Sequence, residues 1–197
     1  MPSFPQVFFA REAEQVARDL LGARLVSTVG GVRCAVRLVE TEAYTGPEDE
    51  ASHAAARIGR TARNDPMFGP PGRAYVYRIY GLHRCLNVVT GPEGFPAAVL
   101  LRAGVPIEGI DAMRARRGPV PIERLTFGPA NLAQALGIDL TLNRHPLDRP
   151  PLWLEPDTVV PDACVRRTPR IGVTRAREAL LRFVVVPDCG GLPAPLR

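Results

Sequence analysis

The sequence contains no lysine, and all 25 of its basic side chains are arginine. A G- and C-rich genome would account for this bias without any functional reason. The chemical consequence holds in either case, because a chain without lysine has no side-chain amine that can form a Schiff base with a carbonyl carbon. Covalent catalysis through a lysine is therefore excluded, and a reaction that needs a nucleophile must use another group.

Metal-binding patterns, a secretory signal and long apolar runs are missing as well. The cysteines and histidines are Cys34, Cys85, Cys164, Cys189, His53, His83 and His145, and they form no pattern typical of a zinc site. We therefore expect no metal and no cofactor. The N-terminal residues do not resemble a secretory signal, so we expect a cytoplasmic protein with reduced, mostly buried thiols. No uncharged run reaches the roughly 20 residues of a membrane span.

The remaining composition is that of a globular, loop-rich protein. Hydrophobic residues make up 46% of the 197 residues and charged residues 23%, with 18 glycines and 21 prolines. We expect one domain over 1–197, with loose ends at 1–7 and 188–197. The net charge of +5 favours an anionic partner, with nucleic acid the first candidate.

Apolar spacing predicts an α+β domain. The predicted helices cover 11–21, 107–116 and 129–136, and the predicted strands cover 24–29, 32–40, 73–80, 86–89, 97–103 and 180–186. We expect 41–72 to form a long loop and 144–161 a proline-rich surface segment. Because hairpins join most of these strands, we predict a curved, mostly antiparallel sheet with short helices packed around it.

The first candidate for chemistry is the segment that contains Glu40, Glu42 and Tyr44, at the end of a predicted strand. His53 follows nine residues after Tyr44. A carboxylate, an imidazole and a phenol are the groups that general acid–base catalysis uses. The alternative is an acidic rim exposed to solvent, which is the commoner fate of paired carboxylates.

Three of the four tyrosines lie within six residues, at Tyr75, Tyr77 and Tyr80. They could form a stacking surface in which one ring binds a base and another wedges into a base stack. The alternative is ordinary packing of strand aromatics on the core.

Three further features involve polar groups. Asn87 lies between apolar neighbours and is costly to bury without a partner, although it could also simply cap its own loop. Arg102 interrupts an apolar strand and needs an anion opposite, for which Glu42 is the natural partner. A cluster of arginines at 114–117 would suit phosphates, but it could equally be a solvated helix face.

Taken together and in this order, these residues resemble the alkyladenine (3-methyladenine) DNA glycosylases of the single-domain mammalian type. The most specific blocks are VETEAYTGPEDEASHA and RNDPMFGPPGRAYVYRIYG, at residues 39–54 and 63–81. Further similar blocks lie at 8–26, 86–89, 98–109, 127–138 and 180–185. The segments 54–62 and 82–84 depart from the family pattern.

The resemblance implies a monofunctional DNA glycosylase of base excision repair. Such an enzyme flips a damaged purine out of double-stranded DNA and hydrolyses its N-glycosidic bond with an activated water. The implied substrates are 3-methyladenine and 7-methylguanine, with hypoxanthine and ethenoadenine as further candidates. We expect a monomer without lyase activity, which agrees with the absence of lysine.

The resemblance also implies roles for single residues at the reaction centre. Glu42 matches the general base that activates the water, and Arg102 matches the arginine that helps to hold that water and Glu42. Because an adjacent cation favours the charged carboxylate, we expect Arg102 to lower the pKa of Glu42.

Around the base, Tyr44 and Tyr77 match the aromatic residues on its two sides, and His53 matches a histidine that contacts the base and the sugar–phosphate. Asn87 matches an amide that crowds the 2-amino group of guanine. Tyr80 matches the residue that fills the vacated stack. The arginines that we expect at the DNA backbone are Arg63, Arg84, Arg114, Arg116 and Arg117.

Two other classes remain open on the residues alone. A non-catalytic nucleic-acid binding module would need the basic surface and the tyrosines but gives Glu42 no role. A nucleoside hydrolase would need a carboxylate and an aromatic pocket but gives Tyr80 and the arginine cluster none.

Overall fold

The computed structural model describes residues 3–186 and residue 189, and it is built around one antiparallel sheet of nine strands. The strands are β1 (Arg24–Ser27), β2 (Cys34–Tyr44), β3 (Ala74–Ile79), β4 (His83–Thr90), β5 (Ala97–Glu108), β6 (Asp148–Arg149), β7 (Leu152–Glu155), β8 (Val165–Thr168) and β9 (Arg182–Val185). Their order is β3-β4-β5-β2-β1-β7-β6, and β9 pairs with both β2 and β8. The predicted α+β fold with a mainly antiparallel sheet is confirmed.

Four short helices surround the sheet: α1 (Gln6–Phe9), α2 (Ala13–Asp19), α3 (Ile110–Arg117) and α4 (Pro129–Ala135). They contribute Phe9, Val16, Met113 and Leu132 to the main apolar core. The odd-numbered residues of β5 from Ala97 to Ala103 belong to the same core. Since side chains alternate along a strand, the even-numbered residues of β5 face the opposite side of the sheet.

Several predicted boundaries were wrong, mostly because strands continue further than their apolar pattern. β2 includes residues 41–44, which we had expected in a loop, and β5 runs to Glu108. Ile107 therefore lies in a strand, with 37% of its surface exposed, and not in the predicted helix over 107–116. The expected surface segment 144–161 contains β6 and β7, and Trp153 on β7 is buried.

A bulge in β2 decides which way the two carboxylates face. In the first half of the strand, Val36 and Leu38 pack into the main core. The register with β5 then shifts between Leu38 and Glu40, and Val39 packs into the same core as its neighbour Leu38. Glu40 and Glu42 consequently face the other side of the sheet. Without the extra residue, the two-residue period would direct both carboxylates into the apolar core.

The expectations for the cysteines and the chain ends need correction. Cys164 and Cys189 form a disulfide, whereas Cys34 and Cys85 are free and buried, as we had expected for all four. At the N-terminus, Phe4 packs against the main core, so that part of 1–7 is not loose. Apart from Cys189, the expected loose end at 188–197 lies outside the described residues. None of the helices in the described part of the chain is long and apolar enough to cross a membrane.

Candidate active site

A cavity of about 230 Å³ opens on the face of the sheet opposite the main core. Its walls come from β2 to β5 and from two loops, one at 50–57 and one at 171–174. The residues from the strands that line it include Tyr44, Tyr75, Tyr77, Cys85, Asn87, Leu100 and Arg102. The predicted site residues on four separate strands are thus brought together by the sheet.

Glu42 lies behind the wall of this cavity with no exposed surface. Its Oε1 accepts a hydrogen bond from the Ile171 backbone N–H at 2.8 Å and lies 3.2 Å from Nη1 of Arg102. Its Oε2 accepts from the Tyr44 hydroxyl at 3.1 Å. Tyr44, Arg102 and Ile171 all line the cavity. They therefore place the Glu42 carboxylate directly behind the cavity wall.

Burial raises the pKa of Glu42 above its ordinary value. Loss of solvation disfavours the charged form, and this effect exceeds the opposing effects of Arg102, the Ile171 N–H and the Tyr44 hydroxyl. Our expectation that Arg102 would set the direction of the shift was wrong, although Arg102 does limit it. A carboxylate with a raised pKa is a stronger base, as general-base catalysis near neutral pH requires.

Glu40 shares the same arginine. Its Oε1 accepts from Nε of Arg102 at 2.8 Å and from Nε of Arg182 at 2.6 Å. Both carboxylates of the ETE segment are buried, so the alternative of a solvated acidic rim is excluded. Two carboxylates and two guanidinium groups form one compact network, in which Arg102 is the cation common to both acids.

Aromatic rings form the walls of the cavity. The rings of Tyr75 and Tyr77 lie 5.4 Å apart between centroids, and His53 packs edge-on against Tyr77 at 4.5 Å. Nδ1 of His53 lies 3.0 Å from the Tyr75 hydroxyl, so these two groups share a hydrogen bond. Burial raises the pKa of Tyr75 to about 12 and raises the pKa values of Tyr44 and Tyr77 as well, so all three phenols are neutral at pH 7.

Burial, assisted by the nearby cation of Arg63, lowers the pKa of His53 to about 4. We therefore expect the imidazole to remain neutral from pH 5.5 to pH 8. Since the unfolded histidine binds a proton at higher pH than the folded one, His53 should make the protein more stable as pH rises from about 4 to about 6.5. A titration of the His53 ring by NMR checks this. A midpoint near 6.5 for His53 would contradict the prediction.

Asn87 lies on β4, opposite Tyr75 on β3 and Leu100 on β5. Its Nδ2 donates to the carbonyl oxygen of Tyr75 at 3.0 Å, and its side chain lines the cavity. The alternative that it caps its own loop is excluded because it lies within a strand. The amide is fixed against a neighbouring strand and presents its edge to the cavity.

Tyr80 stands at the tip of the β3–β4 hairpin, with 86% of its surface exposed. Its φ is +51°, in the left-handed region that costs an L-residue about 1–2 kcal/mol. The alternative that all three tyrosines merely pack on the core therefore fails for this one. An exposed ring in an unfavourable backbone conformation buries little of its surface within the protein, which favours a role in binding.

The structure separates the predicted phosphate-binding arginines into two groups. The guanidinium of Arg63 is exposed and lies 5.3 Å from the centroid of Tyr77, and Arg84 donates to the carbonyl of Leu82 in the β3–β4 hairpin. Arg63 thus lies beside the cavity, and Arg84 lies beside the tip of the hairpin. Arg114 is exposed on α3.

Arg116 and Arg117, by contrast, bind protein groups. Arg116 donates to the carbonyls of Val29 and Ala135, and Arg117 donates to Leu125 O and to Oε1 of Gln134. These bonds hold α3 against its neighbours. We therefore leave Arg116 and Arg117 out of the proposed DNA surface.

One part of the site was missed from the sequence. The segment 170–174 lies in irregular structure, yet its residues 171–174 line the cavity and Ile171 supplies the N–H that binds Glu42. Arg170 within it forms a buried ion pair with Asp49. The only sequence signal is the position of Arg170 between Pro169 and Ile171. This segment has no apolar periodicity from which a helix or strand could be predicted.

The chain is similar to known proteins over most of its length. A family model described as "Methylpurine-DNA glycosylase (MPG)" matches residues 7–188. A protein of Myxococcus xanthus is 51% identical over 87% of this chain and 82% of its own length, and one of Rhodopseudomonas palustris is 49% identical over 92% and 86%. A protein of Nitrosococcus oceani is 46% identical over 93% of this chain and 90% of its own. All three bear the name "Putative 3-methyladenine DNA glycosylase". The chain belongs to the methylpurine-DNA glycosylase family, and it is a DNA glycosylase of base excision repair.

Proposed function

We propose that this glycosylase extrudes a damaged purine from double-stranded DNA, binds it in the aromatic cavity and hydrolyses its N-glycosidic bond with water. The proposed substrates are 3-methyladenine and 7-methylguanine, followed by hypoxanthine and ethenoadenine. The enzyme is monofunctional and leaves an abasic site, because the chain has no lysine to attack the sugar carbon.

The observation that carries the proposal is the position of Glu42 behind an aromatic cavity. Its carboxylate makes three contacts, with Arg102, Ile171 N–H and Tyr44, whereas an ionised carboxylate offers about four acceptor sites. The remaining site lets Glu42 accept a proton from water. The buried anion also stabilises the positive charge that develops on the sugar as the glycosidic bond breaks.

The side chains around the cavity account for base recognition. Tyr44 and Tyr77 present rings to a planar base, and neutral His53, whose Nδ1 is bound to the Tyr75 hydroxyl, keeps Nε2 for a hydrogen bond to the base or the sugar–phosphate. Asn87 narrows the edge where the 2-amino group of guanine would enter. A donor buried there without a partner would cost about 1–3 kcal/mol, which disfavours guanine. 7-Methylguanine carries the same 2-amino group, but its cationic ring is a better leaving group than that of normal guanine.

A gel assay tests the proposed reaction. A duplex that contains one alkylated purine or hypoxanthine is incubated with the protein, and half of each sample is then heated in alkali. We expect strand cleavage at the lesion only after alkali, because hydrolysis leaves an intact backbone at the abasic site. Cleavage without alkali would reveal lyase activity, and binding without cleavage would support the non-catalytic module.

The same assay with free nucleosides tests the remaining alternative, a nucleoside hydrolase. A nucleoside hydrolase would release the base from a modified nucleoside as fast as from duplex DNA. We expect no release from the nucleoside, since exposed Tyr80 is useful only where a base stack must be filled.

Tyr80→Ala should weaken the binding of a well-paired lesion more than that of a mismatched one. The wedge compensates for lost stacking and pairing, which amount to a few kcal/mol for a paired base and less for a loose one. Binding is measured by fluorescence anisotropy on two duplexes that differ only in the opposite base. Val159→Ala is the control, because Val159 is equally exposed but borders a different groove. Equal losses on both duplexes would show that Tyr80 is not the wedge.

A further inference from the structure

We propose that Arg170 is the positioning residue that fixes both the aromatic wall and the general base of this site. The proposal rests on the function proposed above and concerns a residue that does not itself line the cavity. Arg170 would act through Tyr44 and through the backbone of Ile171.

The first step is the contact between Arg170 and Tyr44. The guanidinium carbon lies 4.7 Å from the centroid of the Tyr44 ring, within the range of a cation–π contact. Tyr44 lines the cavity and Arg170 does not, so the guanidinium supports the ring from outside the cavity. A flipped base stacked on Tyr44 would therefore rest on a ring that is already backed by a rigid planar group.

The second step is the anchoring of the guanidinium itself. Nη1 and Nη2 donate to the two carboxylate oxygens of Asp49 at 2.5 and 2.7 Å, and Nη1 also donates to the carbonyl of Ala43 at 2.9 Å. Nε is buried and has no hydrogen-bond partner among the described residues. Three hydrogen bonds to two fixed partners, Asp49 and Ala43, thus determine the orientation of the guanidinium against the ring.

The third step connects Arg170 to the reaction centre. Its neighbour Ile171 donates its backbone N–H to Oε1 of Glu42 at 2.8 Å, and this bond lowers the pKa of Glu42 against the larger effect of burial. Ile171 lies in irregular structure, so no strand ladder fixes this N–H. The side chain of Arg170 provides that restraint.

Asp49 extends the same restraint to the other loop of the site. Its carboxylate accepts from the backbone N–H groups of Thr45 and Ala51, which shapes the turn that leads to His53. The ion pair therefore joins the two loops that border the cavity, although its residues lie 121 positions apart in the sequence. One buried pair sets the positions of Tyr44, His53 and Glu42 together.

Arg170→Lys tests the proposal, because lysine keeps the positive charge beside Asp49 but lacks the planar guanidinium and its two separate Nη donor groups. We expect a folded protein whose single-turnover rate falls by about 10–100-fold, since small displacements of reacting groups can cost about 10²-fold. We also expect the acid limb of the pH–rate profile to move to higher pH, because the bond from Ile171 to Glu42 weakens. A merely structural role would leave that limb in place.

Arg18→Lys is the matched control. Arg18 also donates twice to an aspartate, Asp162, but this pair borders a different groove. Its rate and acid limb should equal those of wild type. If wild type releases no lesion base, the proposed function fails; if wild type is active and Arg170→Lys matches it in rate and pH profile, only the positioning role fails.

Asp49→Asn is the second variant, for the case that Arg170→Lys does not fold. The amide keeps the shape of the carboxylate and weakens its hold on Arg170, so the same shift of the acid limb should appear with a smaller loss of rate. A folded Asp49→Asn with a wild-type profile would overturn the proposal. Loss of folding in both variants would also reject it, because the pair would then serve the fold rather than the site.

Discussion

Glu42→Gln should lower the single-turnover rate of base release by about 10²–10⁴-fold, the usual contribution of a general base. The amide cannot accept a proton from water and carries no charge to stabilise the sugar cation. Its oxygen can still accept from Ile171 N–H and Arg102, and its NH₂ can donate to the Tyr44 hydroxyl. Binding of lesion DNA should therefore remain close to that of wild type, which anisotropy measures on the same duplex.

The pH dependence gives a second test of Glu42. Because its pKa is raised, the rate of wild type should rise with pH through an acid limb above pH 4.5, and Glu42→Gln should lack this limb. The folded protein also holds the proton to higher pH than the unfolded chain does. Ionisation of Glu42 thus lowers the free energy of unfolding as pH rises through this window, and the variant should not show that decrease.

A rate for Glu42→Gln within a few-fold of wild type would remove Glu42 from the role of base. Asp65→Asn is a suitable control, since Asp65 is a partly exposed carboxylate that pairs with Arg60 and Arg144 outside the cavity. Its rate should be unchanged. Equal losses in both variants would mean that the effect of Glu42→Gln is not specific to the site.

The strands that carry Tyr75, Tyr77 and Asn87 could be predicted because each has a local pattern. Tyr75 and Tyr77 alternate on a short strand, and Leu86–Val89 is a compact apolar run. The resemblance then identified Glu42, Tyr44, His53, Asn87 and Arg102, and the structure brings these five residues to one place. Their roles remain proposals, which the variants above test.

Features that depend on long-range contacts could not be predicted in this way. The bulge at Val39 needs β5 as a partner, and nothing local in VETEAY shows that the strand changes face. The pKa of Glu42 was predicted in the wrong direction because one neighbour was visible in the sequence and burial was not. The arginine cluster at 114–117 predicts side chains directed to phosphates or to solvent, whereas Arg116 binds carbonyl groups of two distant segments.

The buried charges of the site share their counterions. Arg102 serves Glu40 and Glu42, Arg182 serves Glu40, and Arg170 serves Asp49. Three acids are thus matched by three arginines within the protein. Guanidinium groups suit this arrangement because their planar donors can bind two acceptors at once, as Arg102 does here.

Arg102→Gln should be the most destabilising single change in this network. Removing one partner of a buried ion pair costs about 3–5 kcal/mol, because the other charge stays buried without compensation. Here two carboxylates lose their common cation, and only Glu40 keeps another arginine, Arg182. For a chain of this size each kcal/mol corresponds to about 2–4 °C in the melting temperature, so calorimetry at pH 7 should show a decrease of about 6–20 °C.

The loss of stability in Arg102→Gln should also depend on pH. Arg102 lowers the pKa of Glu42, so its removal raises that pKa further and moves the acid limb of the rate to higher pH. Since protonation relieves the uncompensated charge, the destabilisation should be smaller at pH 5 than at pH 8. Arg182→Gln is the matched control: it removes a cation from Glu40, but the Arg182 guanidinium forms no ion pair with Glu42, so the variant should lower stability while leaving the acid limb in place. An Arg102→Gln variant whose acid limb coincides with that of wild type would show that Arg102 does not tune Glu42, and the base would then owe its reactivity to burial and to its bonds with Tyr44 and Ile171.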